Sequence, residues 1–568
     1  VAGERGWPPW HPAGICGRVA RPITAWLGAD MVLALVRFAR ILLAFSCLVI
    51  GVGCDQQPST HFTIYSGSEN EALEPIVKEF AESQNVAVAM VYMGSVEIAN
   101  ALHDGKAIEA DAVWPASRLW LSLGDTQKIV RDDVSIMREP VIFGVKRSVA
   151  DRLGWTRNSK VELADILAAA QAGKFRYAAT SATQSNSGAS LYFAALQSLS
   201  GHPDQALQAA DLDSPDTRAR LKALFATVNR SSASSGWLAK YLVEHSDELD
   251  GMVNYEGLIW ETNQALINAG KEPLCAVYPI GAIGIADHPL GYIAKDDEAK
   301  AKFFAALQKH LLSEPIQKRI SAMGRRTGAI GMQGDASVLT PDQCFDVTRV
   351  ISPIPQPTAE VIAKALALYQ TALRKPSITA YVLDFSGSMG EAPRPTRADR
   401  LKEGIANVLE ADKAAANLLQ ASPDDIHIVI TFSDRVLNHW SVRGDDPAKL
   451  QALYEKIERS QPGGGTDIYS PVAQAMREIV SVTGDNFDRY FPAIILMTDG
   501  ESNTGPGLPI VQREVVDLGP RRHIPVYSIG IGEADWHQLG ELSAATNGKT
   551  IDSEKGLVKA FREAKGYN

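Results

Sequence analysis

Ile378-Thr-Ala-Tyr-Val-Leu-Asp-Phe-Ser-Gly-Ser388 reads as a buried strand, Ile378 to Leu383, that ends on one carboxylate and two hydroxyls. Two later segments repeat that theme. Gly465-Thr-Asp467 follows a glycine loop, and Thr498-Asp-Gly500 ends the apolar run from Phe491 to Met497. In an open α/β sheet, loops converge on a ligand at the carboxyl ends of the parallel strands. Ser386, Ser388 and Thr466 then offer hydroxyls, and Asp384 and Asp499 offer carboxylates, which together form an all-oxygen cage. Such a cage suits a hard cation, Mg²⁺ first, with Mn²⁺ or Ca²⁺ as alternatives. The plainer reading is a polar strand-to-helix turn with Ser386 or Ser388 as a helix cap.

The order of the three segments resembles the metal-ion-dependent adhesion site (MIDAS) of von Willebrand factor type A (VWA) domains. That resemblance implies that Ser386, Ser388 and Thr466 are hydroxyl ligands, while Asp384 and Asp499 bind the ion directly or hold its waters. It also implies a protein partner that presents a carboxylate to the remaining coordination position. The surrounding pattern agrees, with strands over 425–432 and 524–531 and helices over 447–460, 468–482 and 554–564. A doubly wound, Rossmann-like VWA sheet is expected over 375–568.

At 568 residues the chain exceeds one hydrophobic core. Its 45% hydrophobic and 21% charged residues are ordinary for a globular protein, and a net charge of −10 argues against nucleic acid as a partner. G-x-S-x-G, H-E-x-x-H and P-loop motifs are absent from the sequence. No general base or nucleophile is evident beside Asp384 and Asp499, so an enzyme is not expected.

The first thirty residues lack periodicity and read as an upstream or non-native segment. Met31 opens a stretch with Arg37 and Arg40, then an apolar run from Ile41 to Ile50, then Gly51-Val-Gly-Cys54. The run is short for a membrane span and right for a signal peptide. It resembles a bacterial lipoprotein signal over 31–54, with Gly51 where the family prefers Leu. The resemblance implies lipidation of Cys54, a membrane anchor and a cell-envelope location. Cys275 and Cys344 are the two cysteines beyond it; they pair in an oxidising compartment or remain two buried thiols.

From 61 to 331 strands alternate with helices: a strand at Phe62–Tyr65, an amphipathic helix from Glu69 to Glu82, a strand from Val86 to Tyr92. Tyr65-Ser-Gly-Ser-Glu-Asn70, Met93-Gly-Ser-Val96, Ala110-Asp-Ala-Val-Trp-Pro-Ala-Ser117, Pro140 to Lys146, Thr183-Gln-Ser-Asn-Ser-Gly188, Val253-Asn-Tyr-Glu256 and Ala276-Val-Tyr-Pro279 follow in order. Together they resemble type II periplasmic solute-binding proteins of ABC transporters, which implies a two-lobed α/β fold, a small-molecule solute and an ABC-type permease as partner. The candidate ligand residues are Ser66, Ser68, Ser95, Trp114, Ser185, Asn186, Ser187 and Tyr255. Ser68, Ser95 and Ser187 precede expected helices, whose free N–H groups can hold an oxyanion without a Lys or Arg in these loops. Plain capping competes, because Ser68-x-x-Glu71 matches a capping box. Tyr65, Trp114, Tyr192, Tyr255 and Tyr278 line a pocket for an organic ligand or pack in the core. A Pro-rich linker, Ile351 to Thr358, and a helix from Ala359 to Arg374 make up most of the 332–374 connection.

The sequence thus leads to an exported binding protein that captures a solute in its first domain and engages a partner through Mg²⁺ in its second. The alternative is an accessory or scaffold subunit of a transport or secretion complex with no solute bound.

Overall fold

The computed structural model describes residues 60–566, apart from 104, 203, 282, 329–333, 350, 352–353, 520–521 and 533. The leading segment, the signal-like stretch and Cys54 lie outside the described residues. No helix among the described residues is long and apolar enough to cross a membrane.

Among the described residues from 60 to 328 there are eleven strands: β1 (Thr60–Ser66), β2 (Val86–Tyr92), β3 (Ala112–Trp114), β4 (Val130–Ser135), β5 (Glu139–Lys146), β6 (Tyr177–Thr180), β7 (Arg230–Ser232), β8 (Gly251–Tyr255), β9 (Leu274–Val277), β10 (Gly284–Ala286) and β11 (Pro289–Ile293). One sheet runs β2-β1-β3-β11-β4; the other runs β10-β5-β8-β6-β7 with β9 also on β5. The chain therefore leaves lobe 1 after β4 and returns to it at β11, which gives a two-lobed body with crossings at both points. Lobe 1 packs Phe62, Ile64, Trp114 and Leu290 against the helices Glu74–Ser83 and Glu298–Leu311.

A buried ionic cluster occupies the crossings. Glu139 begins β5 and meets Arg325 at 3.4 Å and His288 at 3.3 Å, all with side chains at 0% exposure. Arg325 continues to Glu261 at 2.6 Å, and Arg326 pairs with Glu256 at 2.6 Å. Burial pushes the Glu139 carboxyl up, but Arg325 and His288 more than offset it and hold it below the usual range.

The 359–374 segment forms the helix Ala359–Leu368 and a π turn, Tyr369–Leu373. It is packed into lobe 2, where Tyr369 meets Phe225 edge-on at 5.0 Å and Tyr192 donates to the carbonyl of Ala365 at 2.9 Å. Its apolar face (Val361, Ile362, Ala365, Leu366) makes that placement favourable. Cys275 and Cys344 are joined as a disulfide.

The C-terminal sheet contains β12 (Ser377–Asp384), β13 (Ile426–Phe432), β14 (Val436–Arg443), β15 (Phe491–Thr498), β16 (Val526–Gly530) and β17 (Lys549–Asp552), in the order β14-β13-β12-β15-β16-β17. All neighbours are parallel except β14 on β13. β12 is central and buried along its whole length, as a strand covered by helices on both faces must be. Ile378, Ala380 and Val382 face one core, and Tyr381 and Leu383 face the other. The α/β class and the doubly wound sheet are as the sequence suggests; β14, an exposed edge strand, was not expected from it.

Candidate functional site

The carboxyl ends of β12 and β15 adjoin, and the loop before the helix Tyr469–Thr483 is tied across them. Gly387 N–H donates to the Gly464 carbonyl at 3.1 Å, and Gly463 N–H donates to the Phe385 carbonyl at 2.8 Å. Thr466 N–H donates to Asn503 Oδ1 at 3.0 Å. Ser386 Oγ then lies 3.2 Å from Ser388 Oγ, and Ser388 Oγ donates to Asp499 Oδ1 at 2.9 Å. Ser388 Oγ and Thr466 Oγ1 each lie 3.8 Å from the point where a Cβ on Gly500 would sit. Both hydroxyls therefore lie beside Gly500.

Asp384 lies below these hydroxyls. It accepts from Ser386 N–H at 2.7 Å and from Thr498 Oγ1 at 2.5 Å. Burial pushes its carboxyl up to about 6 despite those donors. Asp499 is held on its other oxygen by Arg397 at 2.9 Å, from the first residue of the helix Arg397–Leu409. The five oxygen-bearing side chains expected from sequence are thus gathered at one sheet edge. Three hydroxyls and two carboxylates are hard donors that fit Mg²⁺. Among the described residues no group of three or more His, Cys, Asp or Glu is placed to hold a metal ion.

The second candidate site lies between the lobes. A cavity of about 210 Å³ is lined by Ser68, Glu69, Gly94, Ser95, Gln184, Ser185, Asn186 and Ser234, among others. Four of the eight expected ligand residues therefore reach it: Ser68, Ser95, Ser185 and Asn186. The other four lie behind it. Ser66 is buried in its own turn, where it accepts from Asn70 Nδ2 at 3.1 Å. Ser187 bonds Thr180 at 2.8 Å and Ser235 at 2.8 Å. Tyr255 is buried and accepts from Asn186 Nδ2 at 3.1 Å. Trp114 is fully buried in the lobe 1 core, its indole N–H donating to the His288 carbonyl at 3.2 Å. Tyr192 and Tyr278 are core residues as well.

The expected Ser68 capping box does not form. Ser68 Oγ lies 3.1 Å from Ser234 Oγ across the lobes, and the segment opens as a 3₁₀ turn, Ser68–Leu73, before the α-helix Glu74–Ser83. At the second loop the N-cap is Gly94, whose N–H donates to Glu97 Oε2 at 3.0 Å. Ser95 instead accepts from Ala116 N–H at 3.3 Å. Three α-helices begin at the cavity: Ser95–Leu102, Asn186–Leu199 and Ser235–Glu244. The last starts from Ser231-Ser-Ala-Ser-Ser235, whose run of hydroxyls before an apolar periodicity is a cap signal that sequence reasoning passed over. A larger interlobe cavity, about 460 Å³, opens on the other side of Asn186 against Ile351, Ile354, Pro355 and Pro357. Its wall is mainly apolar, with Ser117, Arg118, Arg138 and Asp287 also lining it.

Two family models match separate parts of the chain. Residues 62–326 match the bacterial extracellular solute-binding protein family, and residues 380–561 match the von Willebrand factor type A domain. The chain joins a solute-binding domain to a VWA domain. No curated protein matches it. Among solved structures, the periplasmic binding protein AfuA from Actinobacillus pleuropneumoniae is 13% identical with a TM-score of 0.41, over 56% of this chain and 99% of that one. Iron-bound HitA from Pseudomonas aeruginosa is 16% identical with a TM-score of 0.40, over 54% and 98%. The sulfate-binding protein SubI from Mycobacterium tuberculosis H37Rv is 17% identical with a TM-score of 0.35, over 48% and 88%.

The VWA domain also reaches the interlobe cavity. Lys549, the first residue of β17, and Lys559, in the helix Leu557–Gly566, line its mouth. Lys559 Nζ lies 3.7 Å from Glu97 Oε2. Neither lysine was a candidate from sequence.

Proposed function

We propose that the protein is an exported binding protein that captures a small solute between its lobes and engages a second protein through a Mg²⁺-dependent VWA site. The observation that carries the first half is the cavity where loops of both lobes and three helix starts meet. Free N–H groups and the positive helix ends favour an anionic group there. The joined Cys275 and Cys344 suit an oxidising, extracytoplasmic compartment. Cys54 would carry the lipid that keeps the protein at the membrane, beside an ABC-type permease.

For the second half, Ser386, Ser388 and Thr466 would hold the ion with Asp384 and Asp499, and a partner carboxylate would complete its shell. Bound Mg²⁺ supplies a hard, positive anchor for that carboxylate. Arg397 now balances the charge of Asp499, and it is the group that must yield Asp499 Oδ2 when an ion competes for it.

A thermal-shift screen of the exported protein tests both halves. Oxyanions, sugars, amino acids and polyamines are each added with Mg²⁺ and with chelator. A ligand at a hundred times its Kd adds about 2.7 kcal/mol. A solute shift that ignores chelator supports the cleft, and a Mg²⁺ shift lost in Asp499→Asn supports the metal site. If no solute moves the melt, the solute-binding domain is a scaffold and the accessory-subunit reading replaces this one.

A further inference from the structure

We propose that the VWA domain is part of the solute site, closing the interlobe cleft and supplying Lys549 and Lys559 to a small anion held there. The inference rests on reading the cleft as a solute site and adds to it the second domain and the ligand class.

The cavity has three walls. Lobe 1 contributes Ser68, Glu69, Gly94, Ser95 and Glu97; lobe 2 contributes Gln184, Ser185, Asn186 and Ser234; the VWA domain contributes the two lysines. Both positively charged side chains of the lining come from the VWA domain. An anion settling on the helix starts at Ser95, Asn186 and Ser235 would therefore find its counter-charge across the domain boundary.

An independent feature points to a ligand. Glu69 is 4% exposed, lines the cavity, and its Oε1 has no hydrogen-bond partner among the described residues. A buried polar atom without a partner is destabilising. It is satisfied by a solute that carries a hydroxyl or protonated oxygen beside its charge, as hydrogen phosphate does. At about 210 Å³ the space is well below the 300–1,000 Å³ of drug-sized sites. A compact anion fits those terms.

The lid is fixed to one lobe and latched to the other. On lobe 2, Arg230 donates to Tyr527 OH at 2.9 Å, and His523 lies 3.2 Å from Glu248. Ala233 of lobe 2 sits within the VWA core, and Trp237 packs against it. Lobe 2 and the VWA domain are consequently packed together. Toward lobe 1, Lys559 faces Glu97 at 3.7 Å, and Glu97 is itself held by Gly94 N–H. A bound anion competes with Glu97 for Lys559.

The test is calorimetric titration of the full-length protein with inorganic phosphate at constant ionic strength. A charge-assisted hydrogen bond contributes enough to binding that its loss weakens affinity about tenfold or more. Lys559→Gln should show that loss, Lys549→Gln with Lys559→Gln a larger one, and Lys559→Arg should keep most of the affinity. Glu97→Gln releases Lys559 and should tighten binding, a direction that general damage to the fold does not produce. Unchanged affinity in the double lysine variant overturns the proposal while leaving the cleft as a solute site. Weaker binding in Glu97→Gln overturns the latch and with it the proposal. No phosphate binding by the wild-type chain also overturns it, whereas the cleft reading falls only if the broad solute screen is silent too.

Discussion

His427 gives the VWA domain a measurable response to acid. It lies in β13 at 1% exposure, stacked on Tyr381 with ring centroids 6.2 Å apart and planes 7° from parallel. Neither ring nitrogen has a partner among the described residues. Burial pulls its pKa down to about 4; Lys565 and Arg374 add to that, and Asp425 opposes it. The folded state thus keeps the ring neutral, while the unfolded chain takes up a proton near pH 6.5. The stability this contributes is whole above pH 6.5 and is lost as pH falls from there toward 4. At about 1.4 kcal/mol per pH unit, moving from pH 7 to pH 5 costs about 2 kcal/mol. Asp384 works in the opposite sense. Its carboxyl, raised to about 6, binds a proton in the folded state first, so the same acidification returns about 1.4 kcal/mol. These two effects largely offset each other, and the His427 effect is isolated by comparison with His427→Phe, which keeps the ring and loses the proton site. Urea unfolding at the two pH values, with chelator present, should show the variant gaining about 2 kcal/mol on the wild type between pH 7 and pH 5. A difference that stays constant across that interval would mean His427 is not held neutral, and the reasoning fails.

Two other predictions concern the solute-binding domain. The Cys275–Cys344 bridge closes a separation of 69 residues; on the chain-entropy estimate, replacing both with Ser lowers stability by up to about 4 kcal/mol, and an unchanged denaturation midpoint would contradict that. Glu139→Ala leaves Arg325 and His288 buried without their shared carboxylate, which costs about 3–5 kcal/mol; circular-dichroism melts check it, and a loss below about 1 kcal/mol would show that the cluster rearranges freely.

The fold was legible because its strands are strongly marked. Val86–Tyr92 is a strand over its full expected length, and β12 reads as buried because Ile378-Thr-Ala-Tyr-Val-Leu383 carries no charge. β14 escaped notice because an exposed edge strand, Val-Leu-Asn-His-Trp-Ser-Val-Arg, carries no run of that kind. The oxygen cluster was legible since each of its three segments sits at a strand end or a glycine loop, where local pattern alone places it. The cleft was harder. Hydroxyls flag helix starts, but whether Ser68 caps its own turn or faces Ser234 depends on how close the lobes lie. Trp114 sits beside a ligand loop in sequence, yet alternation along β3 turns it inward. Lys549 and Lys559 carry no local mark at all, because their role comes from docking of a distant domain.

Ala233 lies among VWA core residues, and Phe491 and Leu418 of the C-terminal region pack against the lobe 2 core. The modules of ancestry and the units of cohesion are therefore different divisions of the same chain. Family boundaries fall at 326 and 380, but cutting there strips a wall of apolar side chains from each side. What looks like two domains strung on a linker is packed as one compact unit, held together by side chains as well as by the connecting peptide.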